Sequence, residues 1–79
     1  SSLEDYKPVY PNVRQFSEDD MLLIKNTITR SQRYPNKVNQ HLLRELAVKL
    51  AQQLDIRQTS LSPQDFLKTL IKDYIVLTR

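Results

Sequence analysis

A chain of 79 residues, 39% of them apolar, makes one domain that buries only roughly 60% of the surface its unfolded form exposes. It has no Cys, which excludes disulfides, thiolate nucleophiles and Cys-based zinc sites. It has no Gly, which excludes P-loops, G-x-G-x-x-G turns and G-x-S-x-G elbows, because each brings backbone to where a Cβ clashes.

The net charge of +3 is modest, so where the charges fall says more than their sum. The longest apolar runs, such as Met21–Ile24 and Tyr74–Leu77, fall far short of the roughly 18 residues a membrane span needs. The first residues lack the basic-then-apolar order of a signal peptide. The expectation is a protein without membrane association, intracellular and cytoplasmic, or nucleoid or nuclear if it binds nucleic acid. The opening SSLEDY, without Met, reads as a processed chain or as a domain of something longer.

Residues 1–16 are expected to form an extended N-terminal segment and 17–79 a helical domain. Pro8 and Pro11 fix φ and bias Lys7 and Tyr10 toward extended backbone, so YKPVYPNVR is predicted as polyproline-like coil. Tyr6, Val9, Tyr10 and Val13 give it the apolar content to dock onto the domain. Pro8 and Pro11 also make a P-x-x-P, but Arg14 stands one position too far to fix its orientation on an aromatic groove.

FSEDDM at 16–21 and LSPQDF at 61–66 share one grammar, and both read as helix starts. Ser17 and Ser62 are placed as N-caps with Asp20 and Asp65 three residues on. The pairs Phe16/Met21 and Leu61/Phe66 occupy the hydrophobic-staple positions, and Pro63 sits at N1, where its missing N–H costs nothing. Ser62-Pro63 is also a dipeptide that kinases recognise, but capping accounts for both copies.

Three helices follow. In 18–33, Met21, Leu23, Ile24, Thr27 and Ile28 share one side, while Leu22 lies opposite with Lys25, Asn26, Arg30 and Arg33. In 39–56, the apolar half runs through Leu42, Leu43, Leu46, Ala47, Leu50, Ala51 and Leu54. In 63–77, Phe66, Leu67, Leu70, Ile71, Tyr74, Ile75 and Leu77 form a similar half, with Lys68, Lys72 and Asp73 expected to face away. Short connections at 34–38 and 57–61 favour antiparallel neighbours. The predicted fold is all-α, a small three-helix bundle with an extended Pro-containing N-terminal segment.

Catalysis finds little support. His41 is the only imidazole and has Glu45 one turn later, too few ligands for a metal. Glu18, Asp19 and Asp20 are accounted for by the dipole of the helix they start. No enzymatic activity, cofactor, metal or small-molecule substrate is expected.

Two binding surfaces remain. The wide apolar arcs of 39–56 and 63–77 point to a protein partner or a homodimer, with Leu22, Tyr74 and Val76 as candidate contacts. Val76 is expected to be exposed. Alternatively, Met21 through Arg44 holds no acidic residue, and Lys25, Arg30, Arg33, Tyr34, Lys37 and Arg44 within 25–44 have the chemistry to bind phosphates and stack on a base. The bland account of Arg30 and Arg33 is that they complement the C-terminal end of their helix dipole.

LSPQDFLKTLIKDYI at 61–75, preceded by LLRELA, resembles the end of the DEK C-terminal type of small helical domain, and that resemblance implies a nucleic-acid-associated module. The preceding helix is longer and richer in Ala and Gln than that family's. ELAVKLAQQLDI resembles the first helix of a helix-turn-helix, but the following turn lacks its usual Gly.

The capping account predicts a mainly helical circular dichroism spectrum and a loss of about 1 kcal/mol in Ser62→Ala. An unchanged denaturation midpoint in that variant would remove the cap as the reason for the motif.

Overall fold

The computed structural model describes residues 3–79. It is helical, with no strand among the described residues. A 3-10 turn, Pro11–Gln15, precedes α1 (Glu18–Arg33), α2 (Lys37–Gln53) and α3 (Pro63–Thr78). Each pair of helices is in contact, and the 3-10 turn lies against α3. The three-helix bundle expected from the sequence is the fold.

Both predicted caps form. Ser17 Oγ accepts the Asp20 N–H at 3.1 Å, and the Asp20 carboxylate accepts the Ser17 N–H at 2.8 Å, closing a capping box. Ser62 Oγ accepts the Asp65 N–H at 3.1 Å with Pro63 at the first helical position.

The ends of α2 differ from the sequence reading. It starts at Lys37 because Asn36 is its cap, accepting the Asn39 N–H at 2.8 Å. It stops at Gln53 because Asp55 turns left-handed, at φ 55°. The Asp55 and Ile56 N–H groups then close onto the carbonyls of Gln52 and Ala51 at 3.1 and 2.8 Å, the Schellman pattern. In a chain without Gly, Asp takes that seat, as one of the few residues that tolerate it.

The connection to α3 therefore runs over 54–62 instead of 57–61. Ser62, Pro63 and Gln64 share a depression with Ser31, Gln40 and Arg44, so α3 begins beside the first half of α2 and not at its end. The two helices do not form the tight antiparallel hairpin that a short connection favours.

The core joins Ile24 and Ile28 of α1, Leu43, Ala47 and Leu50 of α2, Leu54, and Phe66, Leu67 and Leu70 of α3. Four expectations about faces are corrected. Leu23 and Leu42 stand outside the core, 56% and 45% exposed. Ile75 is exposed as well, since it lies nine positions after Phe66, about 180° around the helix. Val76 is half-buried instead of exposed.

The fourth correction is Asp73, which is fully buried. It follows Phe66 by seven positions, about 20° around the helix, and so belongs to the core face whatever its charge. Its Oδ1 accepts the Tyr6 hydroxyl at 2.6 Å, and its Oδ2 accepts the Val9 and Tyr10 N–H groups at 3.0 and 2.7 Å.

These bonds dock the N-terminal segment. Val13 is fully buried with the core, and Tyr10 meets Phe66 edge-on, centroids 5.2 Å apart. The Tyr10 hydroxyl pairs with that of Thr59 at 3.0 Å, and the Lys72 ammonium sits 4.2 Å from the centre of the Tyr6 ring. The polyproline-like course is corrected too, because from Pro11 the backbone coils into the 3-10 turn that carries Val13 inward. Val9 contributes its N–H while its side chain stays exposed.

Burial, the hydrogen bond to Asp73 and the charge on that carboxylate push the Tyr6 phenol from 10.0 up to about 12. The folded protein thus holds this proton more tightly than the unfolded chain. The stabilisation is complete below pH 10.0 and is lost as pH rises toward about 12. Thermal melts across that window should show a falling midpoint, with a shallower fall in Tyr6→Phe. Asp73→Ala should cost about 3 kcal/mol at neutral pH, because it strips one hydroxyl and two backbone donors of their acceptor. A loss below about 1 kcal/mol would mean that packing alone holds the segment.

Candidate functional site

Why Leu23 and Leu42 stay outside follows from helical geometry. Ile24 and Leu43 take the seats between α1 and α2, and the residue before each points about 100° away, to the rim of the same seam. Together with Asn26, Thr27, Arg30 and Asn39, the two leucines line a groove of about 190 Å³ between α1 and α2.

The polar groups of the groove are partly committed. The Thr27 hydroxyl donates to the Leu23 carbonyl at 2.8 Å, and Asn39 Nδ2 donates to the Tyr34 carbonyl at 2.9 Å. That leaves Asn39 Oδ1, the Asn26 amide and the Arg30 guanidinium for a ligand, since no bond or ion pair holds them among the described residues. Val38, exposed and one turn before Leu42, extends the apolar rim along α2. Tyr34, exposed, is the C-cap of α1, and its carbonyl is the one that Asn39 holds.

The residues singled out from the sequence distribute differently. Leu22 is exposed on α1, one position from the groove. Tyr74 is half-buried against the core, and Val76, two positions on and so about 160° away around α3, is half-buried as well. Much of the apolar arc of α3 is therefore used internally, by the other helices and by the N-terminal segment.

Lys25, Arg30, Arg33, Tyr34, Lys37 and Arg44 are all exposed. They do not form one patch. Arg30 lies in the α1/α2 groove, Lys25 is five positions from it, about 140° around α1, and Arg44 lines depressions on the other flank of α2. Arg30 and Arg33 occupy the last turn of α1, where they complement the dipole. Lys37 has no such account, since it stands in a first turn that contains no acid. His41 Nε2 and Glu45 Oε1 meet at 2.8 Å as an exposed i,i+4 pair.

The groove was missed by sequence reasoning because Leu23 and Leu42 lie at the edges of arcs that were assigned whole to the core. The available signal was angular, since each sits about 100° from a neighbour nearer the centre of its arc.

No curated protein and no solved structure matches the chain. A family model does, over residues 1–79, and its description is a domain of unknown function, DUF8484. That match takes in the N-terminal segment along with all three helices, and on it the chain belongs to the DUF8484 family.

Proposed function

We propose that the domain is a non-enzymatic interaction module that receives the apolar face of an amphipathic helix from a protein partner in the α1/α2 groove. One observation carries this reading: two leucines that could have joined the core instead stand exposed on facing rims of one groove. An incoming helix presenting apolar residues at i, i+3 and i+4 covers such a seam, and Arg30 favours an acidic residue beside them. The surface moves from the apolar arcs of α2 and α3 to the α1/α2 seam because the arc of α3 is already engaged. No helix among the described residues is long and apolar enough to cross a membrane.

Nucleic-acid binding through 25–44 is the second reading. The exposure of every basic residue in the stretch favours it, while their spread over separate flanks limits how many phosphates one strand can meet at once.

Fluorescence anisotropy separates the two readings. Labelled amphipathic helical peptides with an acidic flank should bind, and Leu23→Ser or Leu42→Ser should weaken them by about 1–2 kcal/mol while the melting temperature stays nearly unchanged. Replacing Arg30, Arg33 and Lys37 together by Gln should weaken peptide binding by no more than about 1 kcal/mol, through the lost contact of Arg30 with the acidic flank. If instead labelled oligonucleotides bind at low salt and the triple change abolishes that binding, the groove reading is displaced. Sedimentation equilibrium tests a second copy as the occupant, since self-association lost in Leu42→Ser would make this chain its own partner.

A further inference from the structure

The head of α3 differs from the groove in its chemistry. Ser31, Gln40, Arg44, Ser62, Pro63 and Gln64 surround a depression of about 250 Å³ with Leu43 at its base. Ser31 is only 6% exposed, yet its hydroxyl has no hydrogen-bond partner among the described residues and is not sealed from solvent. It is therefore free to meet water or a ligand through that opening.

The surrounding groups are also uncommitted. Arg44 makes no ion pair or hydrogen bond among the described residues, and neither does the half-buried Gln64 side chain. At the start of α3, Ser62 Oγ takes the Asp65 N–H and Pro63 has no N–H, which leaves the Ser62 and Gln64 N–H groups without acceptors among the described residues. Gln40 is held only by a long 3.5 Å contact to the Pro35 carbonyl.

The depression thus collects a guanidinium, a hydroxyl, side-chain amides and two backbone N–H groups at the positive end of a helix dipole. Lys37, seven positions before Arg44, follows the same stripe of α2, about 20° away. Two carboxylates lie nearby: Asp65 on the first turn of α3, exposed, and Glu45, engaged by His41 at 2.8 Å.

The geometry points to a binding site for a phosphate group, as the free anion or a phosphate monoester, at the head of α3. A tetrahedral oxyanion has enough oxygens to take Arg44 on one side, the Gln64 and Ser62 N–H groups on another and the Ser31 hydroxyl beneath. A planar carboxylate or a halide satisfies fewer of them. This site is independent of the α1/α2 groove, and either stands without the other.

The test is amide NMR of the full chain, titrated in parallel with inorganic phosphate, O-phosphoserine, acetate and chloride at matched ionic strength. Phosphate should move the Ser62 and Gln64 amides along a saturating curve with a dissociation constant of about 1 mM, and acetate and chloride should not saturate. If O-phosphoserine binds as well as or better than phosphate, the ligand is a monoester; weaker binding makes it the free anion. Arg44→Gln should weaken the phosphate titration at least tenfold. Ser31→Ala should weaken it several-fold while melting no lower than the parent, because the hydroxyl it removes has no partner inside the fold. Linear shifts without saturation, equal responses to chloride, or an unchanged titration in Arg44→Gln would each overturn the site.

Discussion

The Asp73 carboxylate is the constraint around which this fold is arranged. An acidic side chain on the core face of α3 is tolerable only if donors reach it, and no residue of α3 supplies them. They come from the far end of the sequence, as the Tyr6 hydroxyl and the Val9 and Tyr10 backbone. Once the segment is drawn there, Tyr10 lies on Phe66, Lys72 covers the Tyr6 ring, and the 3-10 turn delivers Val13 into the core. What reads as a loose proline-containing arm is thus a fourth layer of a small bundle, fixed by geometry that apolar contact alone does not specify.

That arrangement decides which surface is left. The segment covers α3, which withdraws most of the apolar arc of that helix from the outside. The seam between α1 and α2 has no equivalent cover among the described residues, and Leu23 and Leu42 show on it. A bundle of this size cannot bury every apolar side chain it carries, and a scattered exposed leucine needs no explanation. Two on opposite rims of one groove, with Val38 exposed one turn before Leu42, are a different matter, because they stand close enough for one partner segment to cover.

Much of the architecture was legible in the residues because it is written locally. Ser17 with Asp20 and Ser62 with Asp65 announce two helices within four residues each, and the central part of each apolar arc is the core that forms. The failures share one cause. Asp73 sat on the core face by angle, but its partners are more than 60 residues away in sequence, and nothing beside it hints at them. Leu23 and Leu42 were at arc edges, where only the placement of neighbouring helices decides burial. The residues of the basic stretch are all exposed, but a linear run of basic residues does not say that helical rotation will deal them to different flanks. Ser31 offered no signal at all, since a serine in a helix becomes informative only when the space beside it is known.

Asp55 has a consequence for the state the chain leaves on folding. Most helices that end this way seat a glycine there, and this sequence has none anywhere. Glycine relaxes a left-handed seat but also widens the range of conformations open to the denatured chain, so its benefit in one state is offset in the other. By using Asp at the one described position with positive φ, the sequence accepts a single strained residue and keeps its denatured ensemble narrow along the whole length. For a domain with so small a core, part of the margin in favour of the native state therefore resides in what the unfolded chain is prevented from doing.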